Sequence, residues 1–197
     1  PRTKEAPLTG TGILILAEAE RTEKEGKLEE AEGYYREFLE RYLGRPERGF
    51  VRISLANVLI KMRRLDEAET VLNEVRGEFP GSREEDLANS LLNRVTAVRN
   101  RLSELPSLEN RIKSNPELIF KEEGGLQLAL SYIATFQMNR AISILTKLEE
   151  APDPRLRSKA LFYKGLMHKW EGDVSKGKEV FGLLSEKADT NPDLSLA

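Results

Sequence analysis

The chain is expected to be all-α, a solenoid of about five stacked helix-turn-helix units, because three periodic observations agree. A small residue is followed twelve positions later by a second small residue at Ala19/Ala31, Ala56/Ala68, Ala129/Ala141 and Gly165/Gly177. In the same frame an apolar residue stands three places before the second anchor (Leu28, Leu65, Met138, Val174), and a bulky one four places after it (Tyr35, Leu72, Leu145, Phe181). Successive second anchors lie 37, 73 and 36 residues apart, and the doubled interval implies one degenerate unit in the middle. Units of this kind pack only on their neighbours, so residues 1–197 read as one elongated domain with a continuous core seam.

The first unit spans about 12–45, with Ile13 to Ala19 in its first helix, a break at Gly26, and Leu28, Ala31, Tyr35 and Phe38 along the second. The second spans 49–82 and is closed by Phe79-Pro80-Gly81-Ser82. The third, 83–116, departs from the pattern. Its first helix carries Leu87, Leu91, Val95, Val98 and Leu102, but Pro106 stands where the second should begin. Proline is tolerated in a first helical turn, which predicts a shortened second helix with Leu105, Leu108 and Ile112 facing inward. The fourth unit, 122–157, recovers the frame. The fifth, 158–191, uses glycine at both anchors, with a turn at Gly172-Asp173. Small anchors have a steric reason: larger groups at a helix crossing would hold the backbones apart, and overpacking costs about 1–3 kcal/mol.

Composition narrows the function classes. Charged residues make up 32% of the chain, yet the net charge is −2, which suits a solvated exterior better than a polyanion binder, and no nucleic-acid partner is expected. With no cysteine there is neither a disulfide framework nor a thiolate site. The longest strongly apolar run, Ile13–Ala17, is far shorter than the roughly 20 residues of a membrane span. The chain begins at Pro1, which leaves open a leader or lipidated N-terminus removed upstream.

The twelve-residue frame resembles the tetratricopeptide-repeat family over nearly the whole chain. That resemblance implies a right-handed superhelix whose first helices line a concave groove that receives a peptide or helix of another protein. The segments Glu30–Tyr42 and Ala160–Leu166 are similar to bacterial envelope members of the family, of the Tol-Pal-associated and outer-membrane-assembly lipoprotein types, which implies a bacterial protein and favours the periplasm over the cytoplasm. One subgroup, the cochaperones, grips a C-terminal carboxylate with Lys, Asn and Arg from first helices. The corresponding positions here are Ile13, Leu16 and Glu20; Phe50, Ile53 and Asn57; and Glu123, Leu126 and Leu130, of which Asn57 alone fits. The groove is therefore expected to be apolar. Phe50, Ile53, Asn57, Leu126, Leu130, Phe162 and Tyr163 are its candidate partner contacts, although apolar groove residues can also serve to pack against the next helix. Ile13 to Leu16 would cover all faces of a terminal helix, so either residues 1–11 fold over it or another chain does. Ile13, Leu16, Phe181 and Leu184 are candidate end contacts for a homo-oligomer, and 191–197 reads as the start of a further first helix.

Nothing in the sequence demands catalysis. His168 is the single histidine, which excludes a His pair for metal and reads as a packed or solvated helix residue, while Trp170 reads as an inter-helix packing residue. Gly124-Gly125 has no strand before it and no Lys-Ser/Thr after it, so it fails as a phosphate loop and marks a turn or helix start. No cofactor or metal is expected. Charge is uneven: seven basic residues in 155–178 stand against Glu171 and Asp173, and eight acids in 66–86 stand against Arg76 and Arg83. Solvated faces are one reading and head-to-tail association another. The function expected is a non-catalytic scaffold binding a partner's segment, with a self-associating assembly module as the alternative.

Overall fold

The computed structural model describes residues 10–170 and 173–190, with side chains described through 184. The expected cover from residues 1–11 therefore falls largely outside the described residues, as do Gly172 of the last turn and the expected helix start at 191–197. The described chain is helical throughout: α1 (Thr11–Lys24), α2 (Leu28–Arg41), α3 (Arg48–Lys61), α4 (Leu65–Glu78), α5 (Arg83–Ser114), a 3-10 helix at Pro116–Phe120, a π turn at Glu122–Leu126, α6 (Gln127–Ala134), α7 (Met138–Leu148), α8 (Pro154–Trp170) and α9 (Val174–Thr190). Two compact units are present, residues 1–99 and 100–197, with the boundary inside α5.

In the first unit α1 packs on α2, α2 on α3, and α3 on α4; in the second, α6 packs on α7, α7 on α8, and α8 on α9. The anchors sit where the frame requires. Ala19, Ala31, Ala56, Ala68, Ala129 and Ala141 are all 0% exposed. In the last pair a Cβ on Gly165 would lie 2.9 Å from the Phe181 ring, so the bulky residue fills the space the missing side chain leaves.

The turn between paired helices explains why the spacing is twelve. In the first three pairs the chain closes α-helically and then donates backward across five residues: Lys27 N–H to the Thr22 carbonyl (2.9 Å), Arg64 to Leu59 (2.9 Å) and Gln137 to Tyr132 (2.8 Å); Asp173 N–H likewise bonds the His168 carbonyl (2.9 Å). This is the left-handed helix stop that satisfies otherwise orphaned carbonyls. The second helix starts at once, its first bond running from the second anchor to the residue just past the turn, as in Ala31 N–H to the Lys27 carbonyl (3.0 Å) and Ala68 to Arg64 (3.1 Å). Three residues from the first anchor to the last bonded carbonyl, five across the turn and four to the second anchor make up the interval. The left-handed position lies five residues before the second anchor, at Gly26 (φ 76°), Arg63 (φ 63°) and Phe136 (φ 57°). A side chain there costs about 1–2 kcal/mol, and glycine returns about 0.5–1 kcal/mol of that as lost chain entropy. Arg63→Gly is accordingly expected to raise stability by about 0.5–1 kcal/mol, read as a higher urea midpoint with an unchanged slope.

The middle of the chain departs from expectation. In place of a helix pair with a shortened second member there is one 32-residue helix, α5, that runs through Pro106. Proline removes the N–H that would bond the Leu102 carbonyl, but a helix long enough on both sides retains its other bonds, and Leu105 and Leu108 are buried on the same face as expected. The connection to α6 is then made by the 3-10 helix and the π turn. A Cβ on Gly124 would sit 1.9 Å from the Leu118 carbonyl oxygen, and one on Gly125 would sit 1.9 Å from that of Ile119. Two backbones touch there, and only glycine lets them.

Candidate functional site

Helical spacing puts Ile13, Leu16 and Glu20 on one stripe of α1, and Phe50, Ile53, Asn57 and Lys61 on one stripe of α3. The polar ends of the two stripes are joined. The Glu23 carboxylate accepts hydrogen bonds from Lys61 Nζ (2.7 Å), Asn57 Nδ2 (3.1 Å) and the Tyr35 hydroxyl (2.9 Å). Asn57 Oδ1 in turn accepts from Arg94 of α5 (3.2 Å). Asn57 is thus engaged at both ends of its amide, as a half-buried tie between first helices. The apolar ends of the stripes remain open: Phe50 is 43% exposed and Ile13 50%, while Leu16 and Ile53 are half-buried.

In the second unit the candidates separate. Leu126 is 6% exposed and belongs to the core with Leu105, Leu128, Leu145 and Leu148, so it is not a groove contact. The cause is the π turn, in which the Leu126 N–H reaches back to the Lys121 carbonyl; the extra residue per turn rotates Leu126 away from the face that the α-helical frame assigns it. Leu130 and Tyr163 are half-buried and pack against the same core. Phe162 is 42% exposed, with its ring edge-on to Tyr163 (5.5 Å between centroids) and tilted against Phe181 (6.2 Å). Of the end candidates, Phe181 and Leu184 are half-buried, whereas neighbouring Leu183 and Val174 are exposed. Trp170, expected between helices, is instead 60% exposed.

Part of the charge bias read from the sequence is taken up within the chain. Arg99 bonds Asp66 (2.9 Å) and Glu69 (2.8 Å), Arg64 bonds Glu67 (2.5 Å), and the buried Arg52 bonds Glu78 (2.5 Å), so the first part of the acidic stretch, on α4, is paired. The Arg52 guanidinium holds the Glu78 carboxyl below the usual carboxylate range. Glu32 of α2 accepts from Arg36 on its own helix (2.7 Å) and from Arg64 at the start of α4, and the second bond ties the two helices. On the basic side Lys159 pairs with Glu122, Lys164 with Glu149 (2.6 Å) and Lys176 with Asp173 (3.0 Å). The sequence signal that would have revealed the ties is positional: Glu23, Asn57 and Arg94 recur on successive first helices at similar heights.

Tyr132 is the buried counterpart of Tyr35. Its hydroxyl donates to Glu109 (2.8 Å), and Arg140 lies 4.3 Å from the ring centroid while bonding the same carboxylate (2.9 Å). Burial first, and Glu109 second, push the phenol from 10.0 to about 12. Burial together with Glu23 raises Tyr35 as well. The sign follows from linkage: below pH 10 the phenol is neutral folded or unfolded and its contribution is whole, and it is lost as pH rises from 10 toward 12 because the unfolded phenol ionises first. Stability is therefore expected to fall across that alkaline window. Urea titrations at stepped pH should record a flatter decline for Tyr132→Phe.

Among the described residues no group of three or more His, Cys, Asp and Glu side chains could hold a metal, and no helix is long and apolar enough to cross a membrane. No family model matches the chain, and no curated protein matches it. Solved structures of MamA are similar to it at a distance. One titled MamA 41-end from Desulfovibrio magneticus RS-1 is 20% identical, with 94% of this chain and 99% of that chain covered and a TM-score of 0.41. A MamA RS-1 double mutant is 19% identical, covering 93% and 98%, also at 0.41. A third MamA crystal structure is 17% identical, covering 95% and 97%, at 0.42. Likenesses this distant carry no argument about what the chain binds.

Proposed function

We propose that the chain is a non-catalytic scaffold that binds an apolar-faced peptide or helix of another protein on the first-helix side of its first unit. The supporting observation is the pairing of open apolar ends with a closed polar tie: Glu23, Asn57 and Lys61 link α1 to α3, and Ile13, Leu16, Phe50 and Ile53 continue the same stripes with large side chains still partly in water. Amphipathic segments bind such surfaces through anchors at helical spacing. Affinity capture from a native extract, quantified against a Phe50→Glu variant that keeps its helical circular dichroism, tests the reading. Partners retained by the wild type and lost by Phe50→Glu, but kept by Leu183→Glu, are expected. Equal retention by both variants would sink it.

A second reading is self-association through the chain's ends, favoured by the exposed Leu183 and Val174 beside Phe181 and Leu184 on α9. Sedimentation equilibrium over a concentration series separates the two. A dimer dissolved by Leu16→Glu or Leu184→Glu supports assembly; a monomer at all concentrations supports the scaffold.

A further inference from the structure

The outer face of α8 is a second surface that keeps large apolar side chains in water, and its charge is one-sided. Residues 154–170 contain no acid but five Lys and Arg residues. Two of these are drawn away: Arg157 bonds the Ala151 and Pro152 carbonyls, and Lys164 bonds Glu149. The other three fall on one stripe, in which Arg155, Lys159, Phe162, Leu166 and Lys169 follow one another at intervals of four, three, four and three residues. Phe162, Arg155 and Lys169 are exposed, and Lys159 and Leu166 are half-buried. Lys159 is paired with Glu122, whereas Arg155 and Lys169 have no carboxylate within ion-pair range among the described residues. The stripe is thus apolar in the middle and cationic at both ends. Trp170, also exposed, closes the helix beside it.

We infer that this stripe receives an amphipathic helix of a partner protein, with a carboxylate at each end for Arg155 and Lys169 and leucine-sized residues between them for Phe162 and Leu166. The inference adds a second face to the scaffold reading and rests on it in taking a protein segment as the occupant. Alternation of four and three is the seam along which two helices lie side by side at about 20°, and here it runs nearly the whole length of a 17-residue helix. Charge then selects among helices. Arg155 and Lys169 are fourteen residues apart, a rise of about 21 Å, and fourteen residues at about 100° each return to nearly the same side. A partner helix with acids at that interval meets both cations at once, and one with cations there is repelled. An anionic bilayer or a nucleic acid would instead bring negative charge along the whole stripe, onto Phe162, Leu166 and the Glu122 carboxylate.

Trp170 is the only tryptophan of the chain and serves as the reporter. The full chain is titrated with an acetylated, amidated alanine-glutamine helix that carries glutamate at its third and seventeenth positions and leucine at its sixth, tenth and fourteenth, a symmetric seam that suits either orientation. A lysine-ended variant, a leucine-free variant, and vesicles of phosphatidylcholine with phosphatidylglycerol are the comparisons. The glutamate-ended helix is expected to move the Trp170 emission to shorter wavelength and to saturate, and Phe162→Ala should weaken it about tenfold or more. Arg155→Glu together with Lys169→Glu should transfer preference to the lysine-ended helix, a gain that a misfolded variant could not produce. Equal binding of the two charged helices, indifference to the leucines, or a shift given by the vesicles and by no peptide would each overturn the inference. If Phe50→Glu abolishes binding while the α8 variants leave it unchanged, the α8 assignment falls and the scaffold reading stands. If the wild type binds none of the peptides, the α8 assignment falls, and the scaffold reading falls with it only where capture by the Phe50 face also fails.

Discussion

Gly125→Ala is expected to destabilise the second unit by about 3 kcal/mol or more, at or above the upper end of ordinary overpacking. The usual cost is moderated because a crowded side chain can rotate away. Here the added carbon would meet the Ile119 carbonyl oxygen at 1.9 Å and its carbon at 2.9 Å, and a carbonyl moves only with its chain. Relief would require pulling the 3-10 helix off the π turn, and Phe120, which packs against the core from that segment, would come with it. Gly33→Ala is the control. It lies inside α2 with nothing within 4 Å of its Cβ, so alanine should stabilise by about 0.5–1 kcal/mol through helix propensity alone. Urea unfolding followed by circular dichroism should therefore give opposite signs for one substitution type at two glycines.

Phe38→Ala is expected to cost about 3–5 kcal/mol, the range for emptying a buried aromatic position. Phe38 is 0% exposed and stacks on Tyr42 with ring centroids 4.9 Å apart. It lies on α2, which packs against both α1 and α3, so the cavity would open between neighbouring pairs rather than at a surface. Small domains have about 5–15 kcal/mol in total. The loss should be visible as early unfolding of the first unit, with the tyrosine fluorescence of Tyr35 and Tyr42 reporting it. A transition unchanged from wild type would show that the crossing collapses around the void.

The helix pairs were legible because their geometry is written in residue size. Ala19, Ala31, Ala56 and Ala68 had to be small to lie at crossings, and small residues at a twelve-residue interval are visible in a sequence. Arg63 and Phe136 were not legible as turn residues, because neither type favours positive φ and only the frame locates them. Pro106 misled for the opposite reason: a strong local signal for a helix boundary was overruled by burial on both sides of it. Leu126 went wrong through one bond, the π turn that shifts phase by a residue. Phe50 and Phe162, expected as groove contacts or as packing against the next helix, are both large apolar side chains partly in water.

The turn between paired helices also acts as a gauge of length. Any residue inserted between a first anchor and its partner would rotate the second anchor by about 100°, the angle per residue of an α-helix, and carry it off the crossing. Between pairs, at 42–47 or 79–82, no such phase has to be kept, and an added residue costs only a fraction of a kilocalorie in loop closure. The chain is thus rigidly metered inside each cassette and elastic between cassettes. Drift in length should accumulate at those joints, and new sequence, such as a tag or a grafted recognition loop, belongs there.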